Sequence, residues 1–253
     1  MYSPRRVLLT GFGPFGNYPD NPSWMAVKTL HESAIPVKKN LAALVTALNI
    51  PTEYQAVLDA VPGFHAQPPI LPEKYTPPMT MDPPEDGFDL IIHVGVGRTG
   101  GLCAERLAHK TGYAFPDNAR QVCSCPSDRS PIVQLTAPQG PPIIIGGKGA
   151  LRGFGKPKYP DAEFADELFT SLNIGRLVED LTSGPNPLNI QPSDDPGRYL
   201  CDFIYYCSLA EGERAGRGTP VLFVHCPPVK QDMSTAEVAE GLKRIIKSCF
   251  DQL

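Results

Sequence analysis

The sequence predicts an α/β protein, in which helices cover both faces of a mostly parallel β-sheet to give a three-layer α/β/α sandwich. Short, mostly apolar runs carry this prediction, at residues 7–10, 88–94 and 220–225. Such runs are typical of strands that are buried on both faces. A fourth segment, 42–50, is predicted to be a strand, although its alanines and leucines also suit a helix.

Helical patterns alternate with these strands, as a parallel sheet with crossover helices requires. Four segments are predicted to be helical: 22–30, 165–181, 198–209 and 234–250. The first begins at Asn21 and Pro22, a capping side chain followed by a proline at the first helical position. The last opens with Ser234 and Glu237, the spacing of a capping box. The third is apolar nearly all round, which predicts a buried helix.

Proline is unusually frequent, with 29 among 253 residues, about twice the ordinary share of ~5 %. The prolines of residues 51–84 predict an irregular segment without helix or central strand. A second broken region, 116–160, contains one apolar run at 143–145, which predicts a short edge strand. Neither region separates two hydrophobic patterns that could each fold alone. We therefore expect one domain over residues 1–253, with proline-rich insertions at about 51–87 and 116–160.

Composition excludes several classes of protein. The 23 Lys and Arg residues against 27 Asp and Glu give a formal charge of −4, without the basic excess of a dedicated nucleic-acid or anionic-membrane binder. The N-terminal apolar run is too short for a secretion signal, and no segment approaches the roughly 18 apolar residues of a membrane helix. Seven cysteines, an odd number in a chain too long to need disulfides, favour reduced thiols. We expect a cytoplasmic protein.

The carboxyl ends of parallel strands meet at one edge of the sheet, where α/β proteins bind their ligands. At that edge Gly95, Gly97 and Gly100 spell G-x-G-x-x-G directly after a strand. The dinucleotide fingerprint also requires a helix that opens at this loop and an acidic residue that closes the next strand. Residues 102–110 are too short for that helix, and Asp117 follows no apolar run. Nucleotide binding is therefore a weak alternative.

Cys201 and His225 form the most promising pair. Cys201 lies near the start of a predicted helix, where the helix dipole favours a thiolate, and His225 ends a predicted strand. A Cys–His pair suits acyl transfer, because the imidazole can take the thiol proton and later give it to the leaving amine. Glu105 is a candidate to orient the imidazole. In the alternative interpretation, which spacing alone favours, both residues belong to the core and Glu105 forms a surface ion pair with Arg106.

Three further residues are candidates for substrate contacts. Arg98, in the glycine loop, either stabilises developing oxyanion charge or is solvated. Phe12 and Phe15 either line an apolar slot or pack into the core. Cys123 and Cys125 lack a second pair of ligands at zinc-like spacing, so no metal site is predicted. We expect the remaining cysteines to be packing residues: Cys103, Cys207, Cys226 and Cys249.

Four blocks, in the same order along the chain, resemble the pyroglutamyl peptidase I (pyrrolidone-carboxylate peptidase) family. Residues 7–24 resemble its opening strand, G-F-x-P-F-G and N-P-S, and residues 95–108 resemble its G-G-R…E-R-x-A segment. The sequence DPGRYLCD at 195–202 resembles the D-A-G-x-Y-x-C-N nucleophile motif, and FVHCP at 223–227 resembles F-x-H-x-P. The resemblance implies a cysteine exopeptidase on an α/β/α sandwich that removes an N-terminal pyroglutamyl residue through a thioacyl-enzyme and needs no cofactor.

The resemblance also implies roles for individual residues. It implies a triad of orienter, nucleophile and proton carrier: Glu105, Cys201 and His225. Phe12 and Phe15 match the aromatic residues that hold the lactam ring, and Arg98 matches the arginine of G-G-R. The implied partners are small peptides with a blocked pyroglutamyl N-terminus, and the oligomeric state stays open.

Departures from the family pattern keep two alternatives open. Val96 stands where the family has a glutamine of the pocket, and Pro196 and Asp202 replace Ala and Asn. Asp202 opposes formation of the neighbouring thiolate if it faces the site. The alternatives are a thiol hydrolase or amidase of altered acyl specificity and a non-catalytic binding protein on the same scaffold.

Overall fold

The computed structural model contains a seven-stranded sheet with helices on both faces. It describes residues 4–16, 18–113, 115–121, 123, 132–135, 143–146, 158–160, 162–228 and 231–253. The predicted three-layer α/β/α sandwich is confirmed. Each face of the sheet has its own hydrophobic core.

The strands of the large sheet follow one another in space as β10 (Ile190–Ser193), β5 (Leu102–Glu105), β11 (Val221–Cys226), β4 (Leu90–Val96), β1 (Arg5–Phe12), β3 (Leu41–Ile50) and β2 (Ala34–Lys38). The central strands β11, β4, β1 and β3 are parallel. Their side chains are almost entirely buried, as the continuous apolar runs predict. At the two sides, β5 runs antiparallel to β11, and β2 runs antiparallel to β3.

Two small ribbons lie outside this sheet. In one, β6 (Leu107–His109) pairs antiparallel with β9 (Glu167–Phe169). In the other, β7 (Ile132–Leu135) pairs antiparallel with β8 (Ile143–Gly146). The strand predicted at 143–145 is therefore present, but its partner is β7 and not the edge of the large sheet. Most of the predicted insertion at 116–160 lies outside the described residues.

The helices divide between the two faces. One face is covered by α1 (Pro22–Val27), α3 (Ile174–Thr182) and α5 (Thr235–Gln252), and the other by α2 (Tyr54–Phe64) and α4 (Leu200–Ala215). The predicted caps are present: the Asn21 side chain accepts the Ser23 N–H, and Ser234 and Glu237 form a capping box. The predicted helix 22–30 continues beyond α1 as one 3₁₀ turn. No helix among the described residues has the length and apolar character needed to cross a membrane.

The prediction of an irregular segment over 51–84 is wrong for the residues of α2. Its one internal proline is Pro62, in the last turn, where it removes the N–H that would bond to the carbonyl of Leu58. That carbonyl accepts a hydrogen bond from the Lys158 ammonium group instead. Helix α2 therefore lacks one backbone N–H donor near its end, but the Leu58 carbonyl keeps a hydrogen-bond partner.

The predicted helix over 165–181 is wrong in its first part. Residues 167–169 form β9, whose backbone pairs with β6. The helix α3 begins only after Asn173, whose side chain accepts the Arg176 N–H at 2.9 Å. The apolar spacing of this segment fits a helix, but strand pairing and an N-terminal cap decide where the helix starts.

Candidate active site

Cys201 is the second residue of α4 and points at the end of β4. A Cβ atom on Gly95 would lie 2.8 Å from the Cys201 sulfur and 2.8 Å from the Phe223 ring. Real Cβ atoms do not come this close, so the sulfur occupies space that only a glycine at position 95 leaves open. The missing side chain at position 95 thus makes room for the Cys201 thiol.

His225 lies in the strand next to this glycine. Its Cα pairs with Gly95 on one side and with Cys103 of β5 on the other. Its Nδ1 atom is 2.7 Å from Oε1 of Glu105, which is the distance of a charge-assisted hydrogen bond. The ring and the Cys201 sulfur line the same cavity, and the interaction with Cys201 raises the pKa of His225. The structure thus brings Cys201, His225 and Glu105 together in one row.

Glu105 is buried, with 1 % of its surface exposed. The alternative interpretation of a surface ion pair with Arg106 is wrong, because Arg106 binds the exposed Asp194 through two nitrogens. The second carboxylate oxygen of Glu105 has no hydrogen-bond partner among the described residues. The Glu105 side chain therefore serves His225 through one oxygen.

The charges of this group favour an imidazolium. Burial lowers the pKa of His225, but the charges and hydrogen bonds of Cys201 and Glu105 outweigh burial and raise it to about 10. The Glu105 carboxylate and the neighbouring Cys201 side chain favour the positive charge of the ring. At neutral pH His225 is therefore a proton donor beside the Cys201 sulfur.

A cavity of about 190 Å³ opens beside the sulfur. Its wall is mainly aromatic and aliphatic and is formed by Phe12, Phe15, Asn21, Thr52, Val96, Pro196, Tyr199, Leu200, Cys201 and His225. The two predicted phenylalanines lie here, and so does Val96. No Asp or Glu is among these lining residues.

Sequence reasoning missed several lining residues, among them Tyr199 and Thr52. Tyr199 was assigned to the buried helix by its apolar pattern, yet its ring lies 5.3 Å from Phe15 and closes one side of the cavity. Its place two residues before Cys201 is the signal that could have identified it. Thr52 follows β3, whose carboxyl end lies beside that of β1. Its hydroxyl makes only long hydrogen bonds, of 3.5 and 3.4 Å, to backbone carbonyls.

Arg98 does not join these residues. It lies in the loop between β4 and β5, is exposed, and is absent from the cavity wall. Asp202 does not face the cavity either, because its carboxylate binds His109. Asp202 would oppose formation of the Cys201 thiolate only if it faced the site, and it does not.

The other predictions about cysteines and ligands have mixed outcomes. Cys207, Cys226 and Cys249 are fully buried, as predicted for packing residues. Cys103 is only half-buried, and its sulfur accepts a hydrogen bond from Gln191 at 3.3 Å. Among the described residues, Cys103, Cys201, Cys207, Cys226 and Cys249 are free thiols, and no three His, Cys, Asp or Glu residues there could hold a metal ion. The G-x-G-x-x-G loop leads into β5 and not into a helix, so the dinucleotide fingerprint is incomplete.

Comparison with known proteins gives one consistent result. The pyroglutamyl peptidase family model matches residues 5–66. Pyroglutamyl-peptidase 1 of Homo sapiens is 29 % identical over 255 residues, which cover 100 % of this chain and 94 % of that protein. Pyrrolidone-carboxylate peptidase of Cupriavidus pinatubonensis is 26 % identical and covers 96 % of this chain and 91 % of its own length.

Solved structures share the fold. Pyrrolidone carboxyl peptidase from Thermococcus litoralis superposes with a TM-score of 0.66 at 16 % identity, covering 98 % of this chain and 94 % of that one. Pyroglutamyl peptidase I from Bacillus amyloliquefaciens gives a TM-score of 0.63 at 20 % identity, covering 98 % and 95 %. The family model, the relatives and the solved structures therefore all show that this chain is similar to the pyroglutamyl peptidase I family.

Proposed function

We propose that this chain is a cysteine exopeptidase that removes an N-terminal pyroglutamyl residue from peptides through a thioacyl-enzyme. The observation that carries the proposal is the row of Cys201, His225 and Glu105 beside an uncharged aromatic cavity. We assign Cys201 as nucleophile, His225 as proton carrier and Glu105 as the residue that orients the imidazole.

In the first half of the reaction the Cys201 thiolate attacks the carbonyl carbon that follows the lactam ring. The S–C bond forms, the C–N bond to the rest of the peptide breaks, and the His225 imidazolium gives its proton to the leaving amine. In the second half, His225 takes a proton from water as the water oxygen attacks the thioester. The S–C bond then breaks, releasing pyroglutamic acid and restoring the thiolate.

Glu105 makes both transfers possible without reacting itself. Its carboxylate accepts the Nδ1–H of His225, so the other ring nitrogen faces the sulfur and the leaving amine. Its negative charge also stabilises the imidazolium that exists before each proton donation. Because Glu105 is buried, water does not screen this interaction.

The cavity suits a neutral, flat acyl group. Pyroglutamate has no α-ammonium group, because its amino nitrogen is closed into the lactam. A wall without a carboxylate offers nothing to an ordinary charged N-terminus, whereas Phe12, Phe15 and Tyr199 cover an apolar ring. The weakly bonded hydroxyl of Thr52 supports a polar contact to the lactam amide. The cavity therefore selects a pyroglutamyl group because its wall carries no charge as much as because of its shape.

Release of a fluorescent coumarin amine from its pyroglutamyl amide tests the proposal. We expect turnover by the reduced protein and a loss of at least about 10³-fold in kcat/KM in Cys201→Ser. Cys103→Ser is the matched control, because that thiol is half-buried, lies outside the cavity wall and should retain activity. No turnover by the reduced protein, or full turnover by Cys201→Ser, would rule the proposal out.

A second candidate is a thiol amidase with a different acyl preference. It is favoured by Val96, which lines the cavity at the position where the family pattern has glutamine. A panel of aminoacyl and lactam coumarin amides separates the two. Activity on the pyroglutamyl amide alone rejects this second candidate, and a better substrate among the other amides rejects the first.

A further inference from the structure

A second imidazole–carboxylate pair lies directly behind the nucleophile. Asp202 follows Cys201 in the first turn of α4 and is fully buried. Its Oδ1 accepts the backbone N–H of His109 at 2.8 Å, and its Oδ2 is 3.1 Å from Nδ1 of the same residue. The carboxylate thus holds one residue of β6 by both its backbone and its side chain.

Other charged groups surround this pair. Arg198 Nη1 is 3.5 Å from Asp202 Oδ2 and 3.6 Å from Asp195 Oδ1. On the β9 side, Glu167 Oε1 is 3.9 Å from Nε2 of His109. Burial raises the pKa of Asp202, while hydrogen bonds and charge from His109, and charge from Arg198, oppose the rise. The buried Asp202 carboxylate is thus held by hydrogen bonds from His109 and lies near the Arg198 guanidinium group.

The pair ties the helix of the nucleophile to the segment of the orienting acid. Glu105 and His109 are four residues apart, on β5 and β6. The Tyr205 hydroxyl donates to the Glu105 carbonyl at 2.9 Å. Asp202 and Tyr205 are three residues apart, and therefore lie on the same side of α4. Helix α4 therefore contacts the β5–β6 segment at two points, through Asp202 next to Cys201 and through Tyr205 at Glu105.

We propose that His109 is a positioning residue for the nucleophile. Through Asp202 it fixes the first turn of α4, and its two hydrogen bonds hold the Asp202 carboxylate away from the cavity of the Cys201 sulfur. The inference rests on the proposed function insofar as Cys201 is the nucleophile. His109 touches neither the sulfur nor the cavity wall, so its effect passes through Asp202.

The hold on the carboxylate is tested with two alkylating agents that differ mainly in charge, iodoacetate and iodoacetamide. The reaction of Cys201 is followed by mass spectrometry of its peptide, and the readout is the iodoacetate rate divided by the iodoacetamide rate. His109→Ala removes the side-chain partner of Asp202 Oδ2 and lets the carboxylate turn towards the sulfur, and should lower this ratio about threefold, as expected for one unit charge in a partly aqueous medium.

The double variant His109→Ala/Asp202→Asn carries no charge at position 202 and should return at least to the wild-type ratio. Arg106→Gln is the matched control, because it removes an exposed charge from the same segment and should leave the ratio unchanged. A role in packing alone would slow both reagents equally, so an unchanged ratio in His109→Ala would overturn the proposal. If His109→Ala does not fold, His109→Gln, which moves the donor away from the Nδ1 position, decides in its place.

The positioning is tested by steady-state kinetics on the pyroglutamyl coumarin amide. His109→Ala should lower kcat about tenfold with little change in KM, because a displaced sulfur slows attack while the acyl cavity stays intact. A raised KM with unchanged kcat would contradict the inference. Failure of the wild type to cleave the amide would refute the proposed function, whereas the alkylation ratio would still be measurable.

Discussion

Two buried histidines predict that the protein loses stability in mild acid. His93 is fully buried, with Nδ1 2.8 Å from the Thr10 hydroxyl oxygen and with Nε2 unpartnered among the described residues. His65 is 5 % exposed, and its Nε2 is 2.9 Å from the Ser208 hydroxyl oxygen. Burial and the charge of His65 lower the pKa of His93 to about 3. Burial and the charge of Arg217 lower the pKa of His65 to about 4.

The sign follows from proton linkage. An unfolded histidine has a pKa of about 6.5, above both folded values, so the unfolded chain takes up protons that the folded chain refuses. The stabilisation is complete above about pH 6.5 and is lost as the pH falls towards 4 and 3. Between pH 7 and pH 5 each histidine costs about 2 kcal/mol, and the two together about 4 kcal/mol. Because both folded histidines are still neutral at pH 5, this figure depends mainly on the unfolded pKa.

Urea unfolding at pH 7 and at pH 5 measures this loss. His65→Gln retains a polar group near Nε2 and His93→Asn retains one near Nδ1, and neither replacement titrates. The comparison uses a Cys201→Ala background, because the Cys201 charge contributes to the high pKa of His225. We expect a loss of about 4 kcal/mol in the parent, about 2 kcal/mol in each single variant and little in the double variant, with similar m-values throughout. Equal losses in all four proteins would refute the reasoning, whatever their stabilities at pH 7.

Three further predictions concern the site. Gly95→Ala places a methyl group 2.8 Å from the Cys201 sulfur; kcat/KM for the pyroglutamyl coumarin amide should fall at least about 100-fold. Gly175→Ala, on α3, places its methyl group at an ordinary contact distance of 3.4 Å from Asn173 Oδ1 and should leave kcat/KM unchanged. Glu105→Gln keeps the shape of the side chain without its charge; kcat should fall between about 10²- and 10⁴-fold, and a smaller effect would mean that another group orients the imidazole. Because the pKa of His225 is raised to about 10, its imidazolium is lost only above that pH. The basic limb of kcat/KM should therefore lie near pH 10, and a limb near 6.5 would contradict the ion pair.

The central sheet and the position of the site could be predicted because both depend on local sequence. A strand buried on two faces is apolar at every position, so β1, β4 and β11 were recognisable without knowing their neighbours. Cys201 and His225 lie at element ends within short motifs, and the carboxyl-edge rule brings such ends together. Local pattern was sufficient wherever burial or a helix end decided the outcome.

The parts that sequence reasoning missed depend on distant contacts. The helix α2 tolerates Pro62 because Lys158, far along the chain, binds the carbonyl that the proline leaves unpaired. Asp202 is unfavourable beside a thiol when only the sequence is considered, because its partner His109 lies far away along the chain, on β6. The apolar pattern predicts a core position for Tyr199, yet its ring forms a cavity wall with Phe15. In each case the partner is a residue that no local period or spacing identifies.

The direction of one strand explains how the acid reaches the imidazole. The carboxyl-edge rule applies to β11, which ends just after His225, but β5 runs the opposite way. Glu105, at the carboxyl end of β5, is therefore opposite Phe223, one step below the edge and on the same face as His225. A parallel β5 would have carried its last residue to the solvent edge, where the charge would be screened. The antiparallel strand instead buries Glu105 beneath the ring it holds, where its charge adds to the larger effect of Cys201 in raising the pKa of His225.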